Sequence, residues 1–401
     1  MVTLEKMAHL ALGSCFDSLG QNTASIPDRG LIDLKPDKLS ALGAGTRYDI
    51  CTSSGCSDVM GVCHSFTHDG RCISLFKTLY TNQCSHQCNY CTNASNCSQK
   101  AKVFSYSPDE LAKLTVSLYR SNYIEGLFLS SGAGRNEDVI MEKLIETARL
   151  LRSKFYFGGY IHLKILPGAS FSHIQEAMEL STRVSVNLEA SSASHMSDLS
   201  ATKDYNNDIL QRQRYVKDLM ESVRLPAGQT TQLVVGAGDE SDREIFKMIL
   251  YEYRELEIKR AYYSAFSPQE GTAFASKEPQ PLWREHRLYQ MDWLYRVYHF
   301  HPEEIEQAFD EAGNLPDSDP KAAIARELID GPVDPNAANY RDLVRVPGIG
   351  PISAHRIVAF RMRQKITRKN ELASLGVIVK RAAPYLKING WRDTTLDRWS
   401  A

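Results

Sequence analysis

Three cysteines at short, regular spacing carry the strongest chemical signal in the sequence. Cys84, Cys88 and Cys91 form a CxxxCxxC pattern. This spacing puts three thiolates on one tight loop, which can ligate three irons of a [4Fe–4S] cluster and leave the fourth iron open to another ligand. A zinc site, or a cluster bound wholly by protein, would need a fourth ligand, which Cys97 could supply. The pattern therefore predicts metal binding, with a [4Fe–4S] cluster as the main interpretation and zinc as the alternative.

The remaining cysteines raise the question of a second metal site. An odd number of cysteines in a chain of this size does not favour a disulfide scaffold. Cys51, Cys63 and Cys72 stand apart from the motif at irregular spacings, so they could hold an auxiliary iron–sulfur cluster or a zinc ion. The alternative is that they are small buried hydrophobic residues, as free cysteines often are. All the cysteines precede residue 98, at positions 15, 51, 56, 63, 72, 84, 88, 91 and 97.

Apolar, β-rich runs alternate with amphipathic helical stretches through the middle of the chain. Six such β–α repeats predict an α/β fold with a parallel sheet, and six units can curl into an open, TIM-like (βα)6 barrel. A flat, doubly wound sheet is the alternative. The cysteine loop directly follows the first of these strands. The predicted strands cover residues 73–80, 124–131, 159–166, 183–190, 230–237 and 261–266.

Tyr90 precedes the last cysteine of the motif and resembles the aromatic residue that packs beside the adenine in radical S-adenosylmethionine (SAM) enzymes. Residues 72–266 resemble the radical SAM superfamily in this motif and in its strand-then-loop context. The resemblance implies a partial barrel with the cluster and SAM at the carboxyl ends of the strands. It also implies cleavage of SAM to a 5′-deoxyadenosyl radical, with an electron donor such as flavodoxin or ferredoxin.

The same resemblance suggests which other residues contact SAM. Ser131 and Gly132 end the second predicted strand, and Gly236 ends the fifth. Asn187 and Glu189 occupy alternate positions of the fourth, so we expect them to share a face. Each of these could instead be a strand-end residue with a structural role.

His162 and Lys164 alternate along the third predicted strand and therefore face the same side. Polar residues that point into a barrel are costly unless they are used. We therefore expect them to line a substrate pocket; the alternative is an exterior position covered by helix ends.

A nucleic-acid-binding motif is predicted near the C-terminus. LVRVPGIGPISAHRI, residues 343–357, matches a helix-hairpin-helix in which Gly348, Ile349 and Gly350 form the hairpin. Glycines there let backbone N–H groups approach a phosphate oxygen at the start of the second helix, where the helix dipole also favours an anion. Arg356 and Arg361 follow, and we expect them to contact nucleic acid. A helical hairpin that contacts only protein is the alternative.

Charge is distributed unevenly along the chain, although the net charge is only −1. From residue 341 to the end there are 13 Lys and Arg against 4 Asp and Glu, a net charge of +9. The preceding 340 residues hold 34 basic and 44 acidic residues, a net charge of −10. A basic terminal module on an acidic body favours a polyanionic partner for that module.

A radical SAM core followed by this motif resembles the putative DNA modification and repair radical SAM proteins that carry a C-terminal helix-hairpin-helix. Supporting strings include CHSF (63–66), YIEGLFLSS (123–131), GYIHLK (159–164) and REHRLYQ (284–290). The resemblance implies action on DNA and a uracil-DNA-glycosylase-like partner. A tRNA- or RNA-modifying radical SAM enzyme is the first alternative, and a non-catalytic redox sensor that binds nucleic acid is the second.

These features predict four segments. They are an N-terminal extension (1–71), a radical SAM core (72–282), a helical connector (283–336) and a helix-hairpin-helix domain (337–401). The first residues, MVTLEKMAHLALGSC, contain Glu5, Lys6 and His9 and favour a helix over a secretory signal. No apolar run reaches the roughly 18 residues of a membrane span, so we expect a cytoplasmic protein.

Overall fold

The computed structural model describes residues 62–66, 72–99, 102–388 and 391–392. They divide into two compact units. The first unit extends to Glu240 and includes Ile245–Gln280, and the second consists of Ser241–Glu244 and the chain from Pro281 onward. The predicted connector and helix-hairpin-helix segments both lie in the second unit.

A seven-stranded sheet forms the centre of the first unit, and its strands lie in sequence order from β1 to β7. Strands β2 to β7 are parallel to their neighbours, whereas β1 pairs antiparallel with β2 at the edge. The strands are β1 Val62–Phe66, β2 Cys72–Leu79, β3 Gly126–Ser130, β4 Tyr160–Lys164, β5 Arg183–Ser185, β6 Gln229–Val235 and β7 Arg260–Ala265.

Strand order decides between the two predicted architectures. A doubly wound sheet reverses its strand order at a switch point. Here β2 to β7 follow one another without reversal, and right-handed crossovers then place the helices on one side of the sheet. The prediction of a partial (βα)6 barrel is therefore confirmed. The helices of this unit are α1 Pro108–Arg120, α2 Glu137–Arg149, α3 Phe171–Leu180, α4 Ala193–Leu199, α5 Gln211–Leu219 and, from Ile245 onward, α6 Asp242–Arg254.

Local sequence accounts for where α1 begins. The Ser107 side chain accepts a hydrogen bond from the Glu110 backbone N–H, and the Glu110 carboxylate accepts one from the Ser107 N–H. Pro108 occupies the first turn, where its missing N–H costs nothing. Leu111, Leu114 and Leu118 are buried, so the apolar face of the helix packs inward.

Strand β5 is shorter than the prediction. It ends at Ser185, and the chain then continues irregularly to Glu189, which makes an isolated bridge with Leu233. Glu189 has a φ of 65°, so the period-two alternation expected for Asn187 and Glu189 does not hold there. Apolar, β-branched residues in a buried loop imitate a strand in sequence, and this explains the overlong prediction.

The second unit is mostly helical. Its helices are α7 Leu282–Arg296, α8 Pro302–Ile305, α9 Pro320–Leu328, α10 Tyr340–Arg345, α11 Pro351–Arg361, α12 Lys369–Ser374 and α13 Val379–Ala382, and strands β8 (Lys387–Ile388) and β9 (Trp391–Arg392) pair antiparallel. Among the described residues, no helix is long and apolar enough to cross a membrane.

Two hairpins in this unit pack against each other reciprocally. Gly348 lies between α10 and α11 with a φ of 88°, and Gly376 lies between α12 and α13 with a φ of 87°. The Ile378 N–H donates to the Gly348 carbonyl at 2.9 Å, and the Ser353 hydroxyl donates to the Gly376 carbonyl at 2.8 Å. A Cβ on Gly348 would lie 2.5 Å from the Ile378 oxygen, so no other residue fits there.

Candidate cluster and nucleic-acid sites

The cysteine loop begins just beyond the carboxyl end of β2 and is fastened to two neighbouring elements. The Ser85 N–H donates to the Ala133 carbonyl, after β3, at 2.7 Å. The Asn89 N–H donates to the Leu199 carbonyl, at the end of α4, at 2.8 Å. These bonds hold the motif at the end of the sheet where ligands bind in parallel α/β folds.

The three thiols are close enough to interact electrostatically. Burial, with the neighbouring Cys88 thiolate, raises the pKa of Cys91 to about 12, and burial also raises the pKa of Cys84. Such thiols give up their protons when iron binds. A [4Fe–4S] cluster would take each of the three thiolates on a different iron.

Cys97, the alternative fourth ligand, is buried in the turn after the motif. Its thiol lies 3.6 Å from the Gln99 carbonyl, to which it donates. The accessory cysteines are not cross-strand partners, because Cys63 pairs with Leu75 and Cys72 pairs with Phe66. Cys51 lies outside the described residues, so a second metal site stays a prediction.

Lys203 is a component of this site that sequence reasoning missed. Its Nζ lies 3.3 Å from the Glu189 Oε1, and the two side chains are only 8% and 9% exposed. Burial alone would lower the pKa of Lys203, but the Cys88 and Cys84 thiolates and the Glu189 carboxylate raise it. No motif marks this lysine, because it lies in a loop more than 100 residues after the cysteines. Its charge offsets the negative charge of the thiolates.

Tyr90 and Glu189, both predicted to contact SAM, are brought together. Their side chains hydrogen bond, and burial, together with the Glu189 carboxylate, raises the pKa of Tyr90 well above its usual value. The Glu189 backbone is held by two bonds to β6, from its N–H to Gln232 and from Val234 to its carbonyl, each at 2.8 Å. A left-handed backbone is unusual for glutamate, and such conformations cluster at functional sites.

Gly132 has a close-packing role beside the cluster loop. A Cβ there would lie 2.3 Å from the Gln83 carbonyl oxygen, one residue before Cys84. The Gly132 N–H donates to Thr81 at 2.8 Å, and the Ser131 hydroxyl donates to the Gly132 carbonyl at 2.8 Å. This glycine therefore lets the end of β3 approach the cysteine loop.

The other two predicted SAM contacts lie further along the sheet. Asn187 is part-buried in the irregular stretch after β5. Gly236 follows β6 directly, and its N–H donates to the Glu240 carboxylate. The Gln280 side chain packs against its Cα. Both residues follow a strand at its carboxyl end, as the cysteine loop does.

His162 and Lys164 lie on the sheet face opposite helix α5. The Thr231 hydroxyl accepts from Gln213 of α5, so Thr230 faces the other way. Thr230 pairs with Ser185, and Ser185 pairs with Lys164. This places the predicted pocket pair on the inner face of the barrel.

The inner face carries buried polar atoms that have no hydrogen-bond partner among the described residues. The His162 Nε2 lies 2.9 Å from the Ser185 hydroxyl, but its Nδ1 has no partner. The Thr230 hydroxyl and the Arg260 Nε are also unpaired. Burial, with Arg183 and Lys164 nearby, lowers the pKa of His162 well below its usual value, so the ring is neutral.

In the second unit, the predicted hairpin is formed as expected, but one of its arginines is engaged elsewhere. Helix α11 begins after Gly350 with no side-chain cap, which leaves N–H groups of its first turn for another acceptor. Arg356 is exposed. Arg361 instead donates through Nη1 to the carbonyls of Ala338 and, at 3.1 Å, Pro335. These bonds hold the loop before α10.

Two family profiles match the chain. The profile of the 4Fe-4S single cluster domain covers residues 69–209, which include Cys84, Cys88 and Cys91 and the strand before them. The chain contains a radical SAM enzyme domain. The cofactors of this domain are a [4Fe–4S] cluster and SAM. A helix-hairpin-helix motif matches residues 330–382, which include both hairpins of the second unit. No curated protein matches the chain.

Solved structures similar to this chain overlap it only in part. They include the methylornithine synthase PylB (15% identity, TM-score 0.41, covering 50% of this chain and 56% of that one). Another is the FeFe-hydrogenase maturase HydG from Carboxydothermus hydrogenoformans (15%, 0.43, 54% and 49%). A third is the radical SAM methyltransferase TsrM from Kitasatospora setae (11%, 0.39, 60% and 47%). The chain spans about half the length of each.

Proposed function

We propose that this protein is a radical SAM enzyme that modifies or repairs a nucleic acid, with DNA favoured over RNA. The observation that carries the proposal is the presence, in one chain, of a three-thiolate loop at the carboxyl end of a parallel barrel and a helix-hairpin-helix motif in a basic segment. When bound, the cluster and SAM supply a 5′-deoxyadenosyl radical through reductive cleavage of a carbon–sulfur bond.

Residues around the cysteine loop have distinct proposed roles in this chemistry. Cys84, Cys88 and Cys91 would hold the cluster. Lys203 supplies a buried positive charge beside the thiolates and orients the Glu189 carboxylate. The other proposed SAM contacts are Tyr90, Ser131, Gly132, Asn187, Glu189 and Gly236.

The inner face of the barrel is the proposed pocket for the reacting part of the substrate. In the part of the chain that the structure describes, His162, Thr230 and Arg260 each leave a buried polar atom without a partner. Buried polar groups are costly unless something bonds to them. A nucleotide turned out of its helix would bring base and phosphate groups able to fill them, and enzymes that act on bases commonly take them out of the stack.

The hairpin is the proposed anchor on the nucleic-acid backbone. N–H groups at the start of α11 and the Arg356 side chain can bind phosphate oxygens. Such contacts do not depend on the base sequence. Two hairpins packed against each other give a rigid module. Such contacts position the chain on the nucleic acid while leaving the choice of reacting base to the barrel.

The reaction is tested by supplying substrates directly. Anaerobic, reduced protein is incubated with SAM and, separately, duplex DNA, single-stranded DNA or tRNA, with chemical reductant or flavodoxin as electron donor. Mass spectrometry then measures 5′-deoxyadenosine and altered nucleosides. We expect a modified deoxynucleoside; a modified tRNA nucleoside would favour the RNA alternative. Nucleic-acid binding without any release of 5′-deoxyadenosine would favour the non-catalytic redox sensor.

Binding is tested with matched glycine variants. Gly350→Val adds a branched side chain at the hairpin, whereas Gly331→Val adds the same side chain where nothing lies within 4 Å of a new Cβ. We expect weaker duplex binding for the first variant and unchanged binding for the second. If both variants bind duplex DNA equally at moderate salt, the hairpin contacts protein and not DNA.

A further inference from the structure

A buried lysine lies beneath the hairpin. Lys321, in the first turn of α9, is only 6% exposed. Its ammonium donates to the carbonyl of Ile349, the central residue of the hairpin, at 2.6 Å. The same ammonium lies 4.7 Å from the centre of the Tyr298 ring. A residue from the helical connector therefore contacts the hairpin from within the second unit.

This hydrogen bond determines which way a hairpin N–H points. The structure has no cis peptide bonds among the described residues. In a trans peptide the carbonyl and the following N–H point in opposite directions. Because the Ile349 carbonyl turns toward Lys321, the Gly350 N–H turns away from it. Gly350 precedes α11 directly, at the end where a phosphate is favoured.

The arrangement is costly for stability. A buried ammonium with a single hydrogen bond is poorly compensated for the water it has lost. In the described part of the second unit Lys321 makes no ion pair, since the nearby Asp319 carboxylate pairs with Arg381. Burial lowers the pKa of Lys321 to about 7. An apolar side chain of similar length would remove this cost, which offsets the hydrogen bond that the Ile349 carbonyl loses.

We propose that Lys321 is a positioning residue for phosphate binding: its ammonium holds the 349–350 peptide so that the Gly350 N–H faces the nucleic-acid backbone. This inference rests on the proposed function, since it assigns a role within the same nucleic-acid site. Lys321 does not itself contact the phosphate. It supplies the orientation of the peptide. A hairpin that is ordered before DNA arrives loses less conformational entropy on binding, so the cost in stability is offset by a gain in affinity.

The test compares Lys321→Met with an exposed control, Lys387→Met, in the full chain. Fluorescence anisotropy measures the affinity for duplex DNA over a range of salt concentrations. We expect Lys321→Met to bind roughly tenfold more weakly, which corresponds to the loss of one charge-assisted hydrogen bond. Its salt slope should match wild type, because no phosphate contact is removed. The control should lower the slope by at most about one.

A pH profile separates positioning from packing. Among the described residues, the titratable groups in contact with Lys321 are Tyr298, through its ring, and Asp319, which accepts from the Lys321 backbone N–H and pairs with Arg381. Residues elsewhere are identical in both proteins, so their effect on binding cancels in the ratio of the two affinities. The deficit of Lys321→Met should be largest at about pH 6 and smaller at about pH 8.5, where the neutral amine makes a weaker bond. A packing role would give the same deficit at both.

Each outcome decides the inference. An unchanged or higher melting temperature together with weaker, pH-dependent binding supports it. Wild-type affinity in Lys321→Met, with Gly350→Val still impaired, would overturn the inference alone. A pH-independent deficit with a lower melting temperature would also overturn it. Failure of the wild-type protein to bind duplex DNA would overturn the proposed function and this inference together.

Discussion

Lys203 and Glu189 form a buried ion pair, with 3.3 Å between Nζ and Oε1, beside the loop that carries the three cysteines. The lysine comes from the chain after α4 and the glutamate from the irregular continuation of β5. Both interact electrostatically with the cysteine loop, Lys203 with Cys84 and Cys88 and Glu189 with Tyr90. The pair therefore links two loops at the carboxyl end of the sheet to the candidate cluster.

Lys203→Met should lower both stability and SAM binding. It leaves the Glu189 carboxylate buried without its partner, and removing one member of a buried pair costs roughly 3–5 kcal/mol. We expect a lower apparent unfolding midpoint and weaker SAM binding by the reconstituted protein. Thermal melts and equilibrium dialysis with labelled SAM measure the two effects.

The double variant Lys203→Met/Glu189→Gln serves as the control. It removes the unpaired charge, so the unfolding midpoint should recover toward wild type while SAM binding stays weak. If the single variant Lys203→Met has the unfolding midpoint and the SAM affinity of wild type, the ion pair has no role in this site.

Replacing Cys84, Cys88 or Cys91 by Ala should abolish cluster assembly and SAM cleavage, because each thiolate is needed for one iron. Cys97→Ala is the matched control, since its thiol is bonded to the Gln99 carbonyl. Iron content and 5′-deoxyadenosine yield measure the outcome. Full 5′-deoxyadenosine yield from any of the first three variants would contradict the assignment.

The parts of the fold that repeat could be predicted from sequence. Alternating β and α periodicity marks all six parallel strands, and a capping box marks the start of α1. Glycine spacing marks the first hairpin. Each of these features depends on residues close together in the chain, so the local pattern contains the information.

Features that depend on distant residues could not be predicted. Lys203 meets the cysteines only because α4 and the cysteine loop pack together. Arg361 follows the hairpin like any phosphate-binding arginine, yet tertiary contacts turn it toward Pro335 and Ala338. Lys321 is likewise an ordinary helix residue in sequence, and only the fold buries it.

The accessory cysteines make a prediction about metal content. If Cys51, Cys63 and Cys72 hold a second cluster, anaerobically reconstituted protein should contain about twice the iron of a protein with one [4Fe–4S] centre. Elemental analysis of wild type and of Cys63→Ala measures this. If wild type contains iron for one cluster and no zinc, and Cys63→Ala loses no iron, these cysteines hold no second metal site.

Arg356 and Arg361 should differ in their effect on DNA binding. Exposed Arg356→Ala should reduce the salt slope of duplex binding by about one, as expected for one lost phosphate contact. Arg361→Ala should leave the slope unchanged and lower the melting temperature, because its guanidinium bonds two backbone carbonyls. Anisotropy titrations and thermal melts give both quantities. If Arg361→Ala instead lowers the salt slope and Arg356→Ala does not, Arg361 contacts the phosphate.

Glu252 should make the first unit less stable as pH rises. This carboxyl is fully buried in α6 and accepts one hydrogen bond, from the Gln213 side chain at 3.0 Å. Burial raises its pKa to about 8, although the bond from Gln213 opposes this. The folded state therefore holds a proton that the unfolded state releases near an ordinary pKa of about 4.3. Its stabilising contribution is complete below that value and is lost as pH rises toward 8.

Glu252→Gln keeps the shape and removes the titration, so its stability relative to wild type should increase between about pH 5 and pH 8. The gain amounts to about 1.4 kcal/mol per pH unit at most. Exposed Glu255→Gln is the control and should show no such trend. Urea unfolding followed by circular dichroism measures each variant at both pH values. If the stability difference between Glu252→Gln and wild type does not change with pH, the buried carboxyl keeps an ordinary pKa, and water must reach it.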